Sequence, residues 1–172
     1  MSDYKEIIDL VEGGLDEKDQ ALIEKAYHFA ERAHEGQKRM SGEPYFSHVF
    51  ATAKILAKLG MDAKTIAAGL MHDVLEDTSI PEEEMQKEFG DDIVFLVNGV
   101  TKLGTLKYRG HERHIESLRK FFVAMANDLR VVIIKFADRL HNLRTLEHVR
   151  EDKRKRIAIE SIEVYAPLAN RL

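Results

Sequence analysis

The sequence predicts an all-α protein that folds as a single domain. Only three prolines occur in 172 residues, and no low-complexity linker divides the chain. Between the prolines, apolar residues recur at the three- and four-residue spacing of amphipathic helices. The β-branched run at 131–136 has the composition of a strand, but its apolar pattern continues without a breaker and an isolated strand would lack a partner. We therefore expect a helix there as well.

The composition narrows the classes of function. Hydrophobic residues make up 44% of the chain and charged residues 33%, as in ordinary globular proteins. The net charge of −4 argues against binding to DNA or RNA, which usually needs a basic face. Because the sequence has no cysteine, disulfides, thiolate nucleophiles and thiolate metal ligands are excluded. No apolar run reaches the roughly 18 residues of a membrane span and no signal pattern opens the chain, so we expect a cytoplasmic protein without a membrane partner.

Three helices are expected in the first half of the chain, after an N-terminal helix or extension over 1–18. They cover 19–35, 47–59 and about 62–77. Gly36 and Gly60 follow the first two helices as natural C-terminal caps, and Asp62 is a natural N-cap for the third. Residues 37–46 contain a serine, a glycine and a proline, so they are expected to form a loop.

Five further helices are expected in the rest of the chain. They cover 81–89, 91–99, 113–127, 128–147 and 151–168. Pro81 suits a helix start, and the three glutamates after it suit the first turn. The stretch 101–110 has two glycines and several basic residues, and it looks irregular.

Four ionisable side chains fall in an otherwise apolar part of the third expected helix. His72 and Glu76 are four residues apart, as are Asp73 and Asp77, so each pair would stack one turn apart on a largely buried helix. Burying such groups is costly unless a metal or other charges compensate them. The alternative is a solvated acidic face, which we consider weaker because residues 79–81 end the helix without needing four charges.

A His–Asp pair supplies two ligands of a divalent metal site, and other elements must complete it. His48, near the start of its helix, and Asp138, after an apolar run, are the candidates of the right type. Two imidazoles and two carboxylates suit Mn, Fe, Zn, Ni or Co better than Ca. Such a metal lowers the pKa of its bound water, and carboxylates one turn beyond the pair could orient that water or carry its proton.

Four local motifs occur in order along the chain. They are KRMSGEPYFSH (38–48), MHDVLEDT (71–78), NGVTKL (98–103) and KFADRLHNLRTL (135–146). Together they resemble the hydrolase domain of the RelA/SpoT family, a branch of the HD superfamily of metal-dependent phosphohydrolases. A bare His–Asp pair is a weak motif, whereas this ordered combination is specific, and the resemblance runs from about residue 19 to the end.

The resemblance implies a single HD hydrolase domain over 1–172, a helical HD-type bundle with its catalytic core at 19–172. Family members hydrolyse the alarmone guanosine 3′,5′-bispyrophosphate, ppGpp or pppGpp, to GDP or GTP and pyrophosphate, usually with Mn²⁺. The chain is therefore expected to be a guanosine-3′,5′-bis(diphosphate) 3′-diphosphatase of the stringent response, with Mn²⁺ or another divalent transition metal as cofactor.

The resemblance also implies roles for individual residues, carried over by position. The metal ligands would be His48, His72, Asp73 and Asp138. The carboxylates that activate water would be Glu76 and Asp77. The residues that contact the guanine nucleotide would be Arg39, Ser41, Asn142 and Thr145.

Two positions depart from the family pattern. Met40 stands where a lysine is common, which removes a positive charge near the nucleotide and leaves the nucleotide preference open. Val49 stands where a proline commonly follows the first metal histidine, a difference that concerns only the helix start. The chain could be a stand-alone hydrolase or an excised N-terminal domain. Its ending at 165–172 resembles the segment that leads to further C-terminal domains in long members, which favours the excised domain.

Two other functions stay open. The chain could be an HD phosphohydrolase for another nucleotide, such as NADPH, or a catalytically silent module that binds nucleotide for regulation. The intact water-activating pair speaks against the silent module. The basic side chains of Lys102, Lys107 and Arg109, with His111 and His114 nearby, could approach substrate phosphates or form a plain polar loop.

Some polar residues near the expected site are left outside it. His34 and His148 lie near helix ends and are expected to be exposed, and His141 is not counted among the metal ligands although it is three residues from Asp138. Arg139 and Arg144 could pair with the water-activating carboxylates or touch phosphate.

Overall fold

The computed structural model describes residues 3–104, 119 and 121–172, and this part of the chain is built from helices. They are α1 (Lys5–Ile8), α2 (Glu17–Ala33), α3 (Phe46–Lys58), α4 (Ala63–Met71), α5 (Val74–Asp77), α6 (Glu82–Phe89), α7 (Asp91–Gly104), α8 (121–127), α9 (Leu129–Arg144), α10 (Glu151–Glu160) and α11 (Ala166–Ala169). A short 3₁₀ turn (Leu146–His148) follows α9, and a π turn (Ser161–Tyr165) joins α10 to α11. Within these residues the one extended pairing is a single bridge between Lys38 and Pro44. The all-α prediction is confirmed.

Helix ends in the first half follow the expected capping residues. The Asp62 side chain accepts a hydrogen bond from the backbone N–H of Thr65 at 2.7 Å, so it caps α4 as predicted. Gly36 and Gly60 follow α2 and α3 with φ of 75° and 69°, a conformation that favours glycine. The run at 131–136 lies inside α9, as expected.

The prediction of one continuous helix over 62–77 is wrong. The backbone leaves the helix at His72 and Asp73, between α4 and α5. His72 Nδ1 lies 2.8 Å from the carbonyl oxygen of Gly69. In a continuous helix that oxygen would accept from the N–H of Asp73, so the side chain of His72 competes with the backbone ladder. Asp73 and Asp77 nevertheless stay one turn apart, because the N–H of Asp77 donates to the carbonyl oxygen of Asp73 at 2.8 Å.

Two other boundaries differ from the expectation. Residues 101–104 belong to α7 and are not irregular, because the apolar face of that helix continues to the buried Leu103. The remainder of 101–110, and the start of the helix expected at 113, lie outside the described residues. The helix expected over 128–147 gives way at Thr145 to the 3₁₀ turn.

The centre of the bundle is α4, which packs against α2, α3, α7 and α9. Each of its residues is buried apart from Lys64. At Gly69 a Cβ atom would collide with the end of the Leu56 side chain, so a larger residue would force Leu56 to move where α3 and α4 meet. This packing holds the C-terminal end of α4 deep in the molecule, where His72 follows it.

The C-terminal elements close against α8 and α9. The ring of Tyr165 meets Phe121 edge-on with centroids 5.2 Å apart, and it lies 5.9 Å from Phe136. Arg139 Nη2 donates to Glu160 Oε2 at 2.9 Å and its guanidinium lies over the Tyr165 ring. No helix in the described part of the chain is both long and apolar enough to cross a membrane.

Candidate metal centre

Three buried side chains from three helices meet near the middle of the bundle. His48 lies in the first turn of α3, His72 directly follows α4, and Asp138 lies within α9. Each residue has one potential ligand atom that lies within 4.8 Å of the corresponding atoms of the other two residues. This is the spacing of a divalent metal site with nitrogen and oxygen ligands.

Asp73 borders the same centre. Its Oδ2 lies 3.2 Å from His72 Nε2 and 3.6 Å from His48 Nε2. Asp73 directly follows His72 in the turn between α4 and α5, and its carboxylate reaches both histidines of the centre. The structure thus brings together all four residues that were expected as metal ligands.

The state of His72 fits a metal ligand. Its Nδ1 lies 2.8 Å from a backbone carbonyl, which can only accept, so the proton is on Nδ1. Its Nε2 is buried and makes no hydrogen bond to any residue that the structure describes. With Nδ1 held by the carbonyl, Nε2 is the nitrogen that can offer its lone pair to a divalent cation, once that cation displaces the proton that the nearby carboxylates favour.

The electrostatics also favour a cation at this point. Burial opposes a charge on His72, but Asp73 and Asp138 outweigh it and raise its pKa to about 9. Burial likewise opposes ionisation of Asp73, yet His72 lowers the pKa of that carboxyl. The negative field that favours a proton on His72 favours a metal ion in its place.

Lys135 is a member of the centre that the sequence reasoning missed. Its Nζ donates to Asp138 Oδ2 at 2.8 Å, and only 12% of its side chain is exposed. Burial would lower the pKa of Lys135, but the charge of Asp138 raises it, so the ammonium stays charged. A lysine within the apolar run 131–136, one helical turn before an aspartate, was the available signal.

Tyr45 is a second residue without an expected role. Its hydroxyl lies 2.7 Å from Asp73 Oδ2 and 2.8 Å from Asp77 Oδ2, so it bridges the two carboxylates. One phenolic proton can serve only one of them at a time. Burial, together with Asp73, raises the pKa of Tyr45, which keeps the hydroxyl protonated.

The ring of Tyr45 stacks on His34 with centroids 4.9 Å apart. The expectation that His34 is exposed is therefore wrong, because the loop after α2 folds over it and leaves 2% of the residue accessible. The loop itself is held by three backbone hydrogen bonds of 2.9 Å, from the N–H of Tyr45 to the Gln37 carbonyl, from the N–H of Arg39 to the Glu43 carbonyl and from the N–H of Gly42 to the Arg39 carbonyl.

Glu76 and Asp77 lie one turn beyond the centre, on the wall of the adjoining cavity. Both are exposed, so the expected burial of all four ionisable groups holds only for His72 and, in part, for Asp73. Burial and the neighbouring Asp73 raise the pKa of Glu76, which moves this carboxyl toward the range of a general base.

A cavity of about 450 Å³ opens from the metal centre to the surface. The four residues expected to contact a nucleotide all line it: Arg39, Ser41, Asn142 and Thr145. Met40, 62% exposed, stands at the same wall. A cavity of this size accommodates a small organic ligand of nucleotide dimensions.

Arg39 connects the cavity wall to the metal centre. Its Nη2 donates to Asn142 Oδ1 at 2.8 Å, and Asn142 Nδ2 in turn donates to Asp138 Oδ1 at 2.6 Å. Its Nη1 donates to Thr145 Oγ1 at 3.2 Å and approaches His141 Nδ1 at 3.5 Å. Every one of these partners lies on α9 or directly after it, about a hundred residues further along the chain.

The structure also places some of the other charged residues that lie near the expected site in the sequence. Arg139 pairs with Glu160 and not with the exposed carboxylates. His148 is exposed as expected and lines the cavity. Lys102 lines a separate cavity of about 410 Å³ beside α8. The other basic residues suggested for substrate phosphates, Lys107, Arg109, His111 and His114, lie outside the described residues.

Three curated relatives share this sequence over most of its length. A GTP pyrophosphokinase of Streptomyces coelicolor is 52% identical over 150 residues, which cover 87% of this chain and 18% of that protein. A guanosine-3′,5′-bis(diphosphate) 3′-pyrophosphohydrolase of Haemophilus influenzae is 52% identical over 144 residues, 83% of this chain and 21% of that protein. The bifunctional (p)ppGpp synthase/hydrolase SpoT of Escherichia coli K12 is 46% identical over 170 residues, which cover 98% of this chain and 24% of that protein. The chain spans about a fifth of the length of these relatives.

A solved structure shares the fold over nearly its whole length. It is a metazoan orthologue of SpoT, described as hydrolysing ppGpp and taking part in starvation responses. The TM-score is 0.65 at 28% identity, and the match covers 87% of this chain and 84% of that one. These similarities confirm the resemblance to RelA/SpoT proteins that the sequence motifs indicated. Because the family model of the HD domain matches residues 26–172, this chain belongs to the HD domain family.

Proposed function

We propose that this domain hydrolyses ppGpp or pppGpp to GDP or GTP and pyrophosphate, with Mn²⁺ as cofactor. The observation that carries the proposal is the meeting of His48, His72 and Asp138, with Asp73 beside both histidines, at the end of a nucleotide-sized cavity. Mn²⁺ is one of the divalent ions that this mixed nitrogen and oxygen donor set suits. We assign these four residues as its ligands.

Hydrolysis is favoured over nucleotide synthesis, although some relatives carry the name of the synthetic activity. The chain covers only 18% of the Streptomyces coelicolor GTP pyrophosphokinase, so that name describes a much longer protein. By contrast, the match to the metazoan orthologue, described as hydrolysing ppGpp, covers 84% of that chain. The part shared with this chain therefore corresponds to nearly the whole of a hydrolase.

The reaction forms a bond between a water oxygen and phosphorus and breaks the bond between that phosphorus and the ribose 3′ oxygen. Pyrophosphate is released, and the 3′ oxygen takes up a proton to become a hydroxyl group. When bound, Mn²⁺ would polarise the phosphate and lower the pKa of water. Glu76 and Asp77, on the cavity wall beside the ligands, would orient the water and take its proton. Tyr45 would hold Asp77 against Asp73, and the Lys135 ammonium would offset the charge of the carboxylates.

The nucleotide would lie along the cavity wall opposite the carboxylates. Arg39 would flank the guanine, and Asn142, Thr145 and Ser41 would supply hydrogen bonds to base and ribose. Met40 offers an apolar, uncharged surface where a lysine is common in the family. We therefore expect a weaker dependence of nucleotide affinity on salt than a lysine would give, because one ionic contact with the nucleotide is lost.

The test measures the release of pyrophosphate from ppGpp by the purified protein, once with Mn²⁺ and once with a chelator. The turnover of NADPH is measured under the same conditions for comparison. The proposal expects Mn²⁺-dependent release of pyrophosphate and slower turnover of NADPH. Preferred turnover of NADPH would favour a different nucleotide. Binding of Mn²⁺ and of nucleotide with no turnover of either substrate would favour a silent nucleotide-binding module.

A further inference from the structure

His141 faces His48, one of the assigned metal ligands, through the Nδ1 atoms of both rings. The two nitrogens are 2.7 Å apart, and the ring centroids are 4.9 Å apart. At this distance the nitrogens share one proton, because two lone pairs or two N–H groups would repel each other. One imidazole must therefore donate and the other accept.

Arg39 determines which of the two accepts. Its Nη1 lies 3.5 Å from His141 Nδ1, and a guanidinium can only donate, so a proton on that nitrogen would face another N–H group. The single lone pair of His141 Nδ1 is then taken by His48, which lies much closer. His141 Nδ1 therefore presents a lone pair, and His48 carries the shared proton on its own Nδ1. His48 Nε2 is then left with a lone pair, 3.2 Å from Asp138 Oδ1 and 3.6 Å from Asp73 Oδ2, in the centre of the ligand cluster.

We propose that His141 is a positioning residue that fixes the tautomer and ring orientation of His48, so that Nε2 is presented to the metal. The inference rests on the proposed function, because it takes His48 as a ligand. His72 obtains the same tautomer from the backbone carbonyl of Gly69, which a side-chain substitution leaves in place. His48 depends instead on a second imidazole, and through it on Arg39 at the cavity wall.

NMR of the full chain with nitrogen-15-labelled histidine, metal-free and at mildly alkaline pH, tests the tautomer directly. We expect the proton of His48 on Nδ1 and a scalar coupling across the hydrogen bond to His141 Nδ1. In His141→Leu the coupling disappears and His48 shifts toward the Nε2–H tautomer, which can donate to Asp138, while the His72 signals stay in place as an internal control. A proton on Nε2 of His48 in the wild-type protein would overturn the proposal.

Calorimetric titration with Mn²⁺ tests the consequence for the metal. We expect His141→Leu to bind Mn²⁺ about 10- to 100-fold more weakly, the usual effect of losing the partner of a ligating histidine. His141→Asn, whose side-chain oxygen can accept in place of Nδ1, should regain most of the affinity. His28→Leu, at an exposed histidine remote from the centre, should bind as the wild type does. Equal affinities for the wild type and His141→Leu would overturn the proposal, as would His141→Asn binding as weakly as His141→Leu.

Neither measurement involves a nucleotide, so the two proposals can fail separately. If wild-type protein shows the His48–His141 coupling and the expected ranking of Mn²⁺ affinities but no ppGpp turnover, the positioning role stands and the proposed substrate is wrong. If ppGpp is hydrolysed while His141→Leu retains full Mn²⁺ affinity, the substrate stands and the positioning role is wrong.

Discussion

Arg39 and Asn142 are joined by a hydrogen bond of 2.8 Å although 103 residues separate them in the sequence. The Asn142 amide uses its oxygen for Arg39 and its NH₂ group for Asp138, at 2.6 Å, so its orientation is set from both sides. One side chain thus links the cavity wall to an assigned metal ligand. Binding of a nucleotide against Arg39 and binding of metal at Asp138 are therefore expected to depend on each other.

Replacing Asn142 with leucine should break this link. The change keeps the size of the side chain but leaves Arg39 and Asp138 each without one hydrogen bond, at a cost of about 1–3 kcal/mol for a charged partner. We expect kcat/KM for ppGpp to fall by about 10- to 100-fold in steady-state assays. Asn127→Leu, at an exposed position of α8, is the matched control. An Asn142→Leu enzyme with wild-type kcat/KM would show that the link is not used.

Tyr45→Phe should slow the reaction without disturbing the fold. The phenylalanine ring keeps the stack on His34, but the hydroxyl that bridges Asp73 and Asp77 is lost. Without that donor the two carboxylates repel each other and Asp77 is free to turn away. We expect kcat to fall about tenfold or more, with a small change in melting temperature. Tyr4→Phe, far from the cavity, serves as the control, and a drop in kcat as large in this variant would contradict the assignment.

Lys135→Met should make the protein depend on metal for its stability. The substitution leaves the buried carboxyl of Asp138 without its 2.8 Å partner, and breaking a buried pair from one side costs about 3–5 kcal/mol. A divalent ion restores positive charge at the same carboxylates and binds more tightly once the ammonium is gone. Thermal unfolding should show a lower melting temperature with chelator and a larger increase on adding Mn²⁺ than in the wild type.

Lys64→Met, at the exposed position of the buried helix α4, controls for the loss of a lysine. It should respond to Mn²⁺ as the wild-type protein does. If Lys135→Met and the wild type gain equally from Mn²⁺, Lys135 does not act on the metal centre.

Asp128 should contribute stability that is lost in acid. It caps α9, and a hydrogen bond from Arg130 lowers the pKa of its carboxyl. A group whose pKa is lower in the folded state stabilises the protein above its unfolded pKa, about 4, and ceases to do so as the pH falls through the folded value. Asp128→Asn keeps a capping oxygen but loses the charge, so it should be less stable by up to about 1 kcal/mol at neutral pH.

Urea unfolding of both proteins across the acid range measures this difference. The gap between wild type and Asp128→Asn should close as the pH falls below 4. A gap that stays constant with pH would mean that the carboxylate charge contributes nothing to folding.

Much of this molecule can be read from local sequence. The periodicity of apolar residues predicts the helices, and capping residues such as Asp62, Gly36 and Gly60 predict several of their ends, because these features act over one or two turns. The four assigned metal ligands were also expected, since each stands in a recognisable motif. The α4–α5 break was not expected, because it arises from a side chain competing for the carbonyl of Gly69.

Tertiary structure alone decided which side chains surround the ligands. Tyr45 reaches Asp73 from 28 residues away, and His141 reaches His48 from 93 residues away. Such contacts depend on how closely α3, α4 and α9 approach, which is governed by packing at positions such as Gly69 and not by any local pattern. Sequence by itself therefore determined the helices and the chemistry of the ligand set. Packing determined the proton positions and charges on which the reactivity of that set depends.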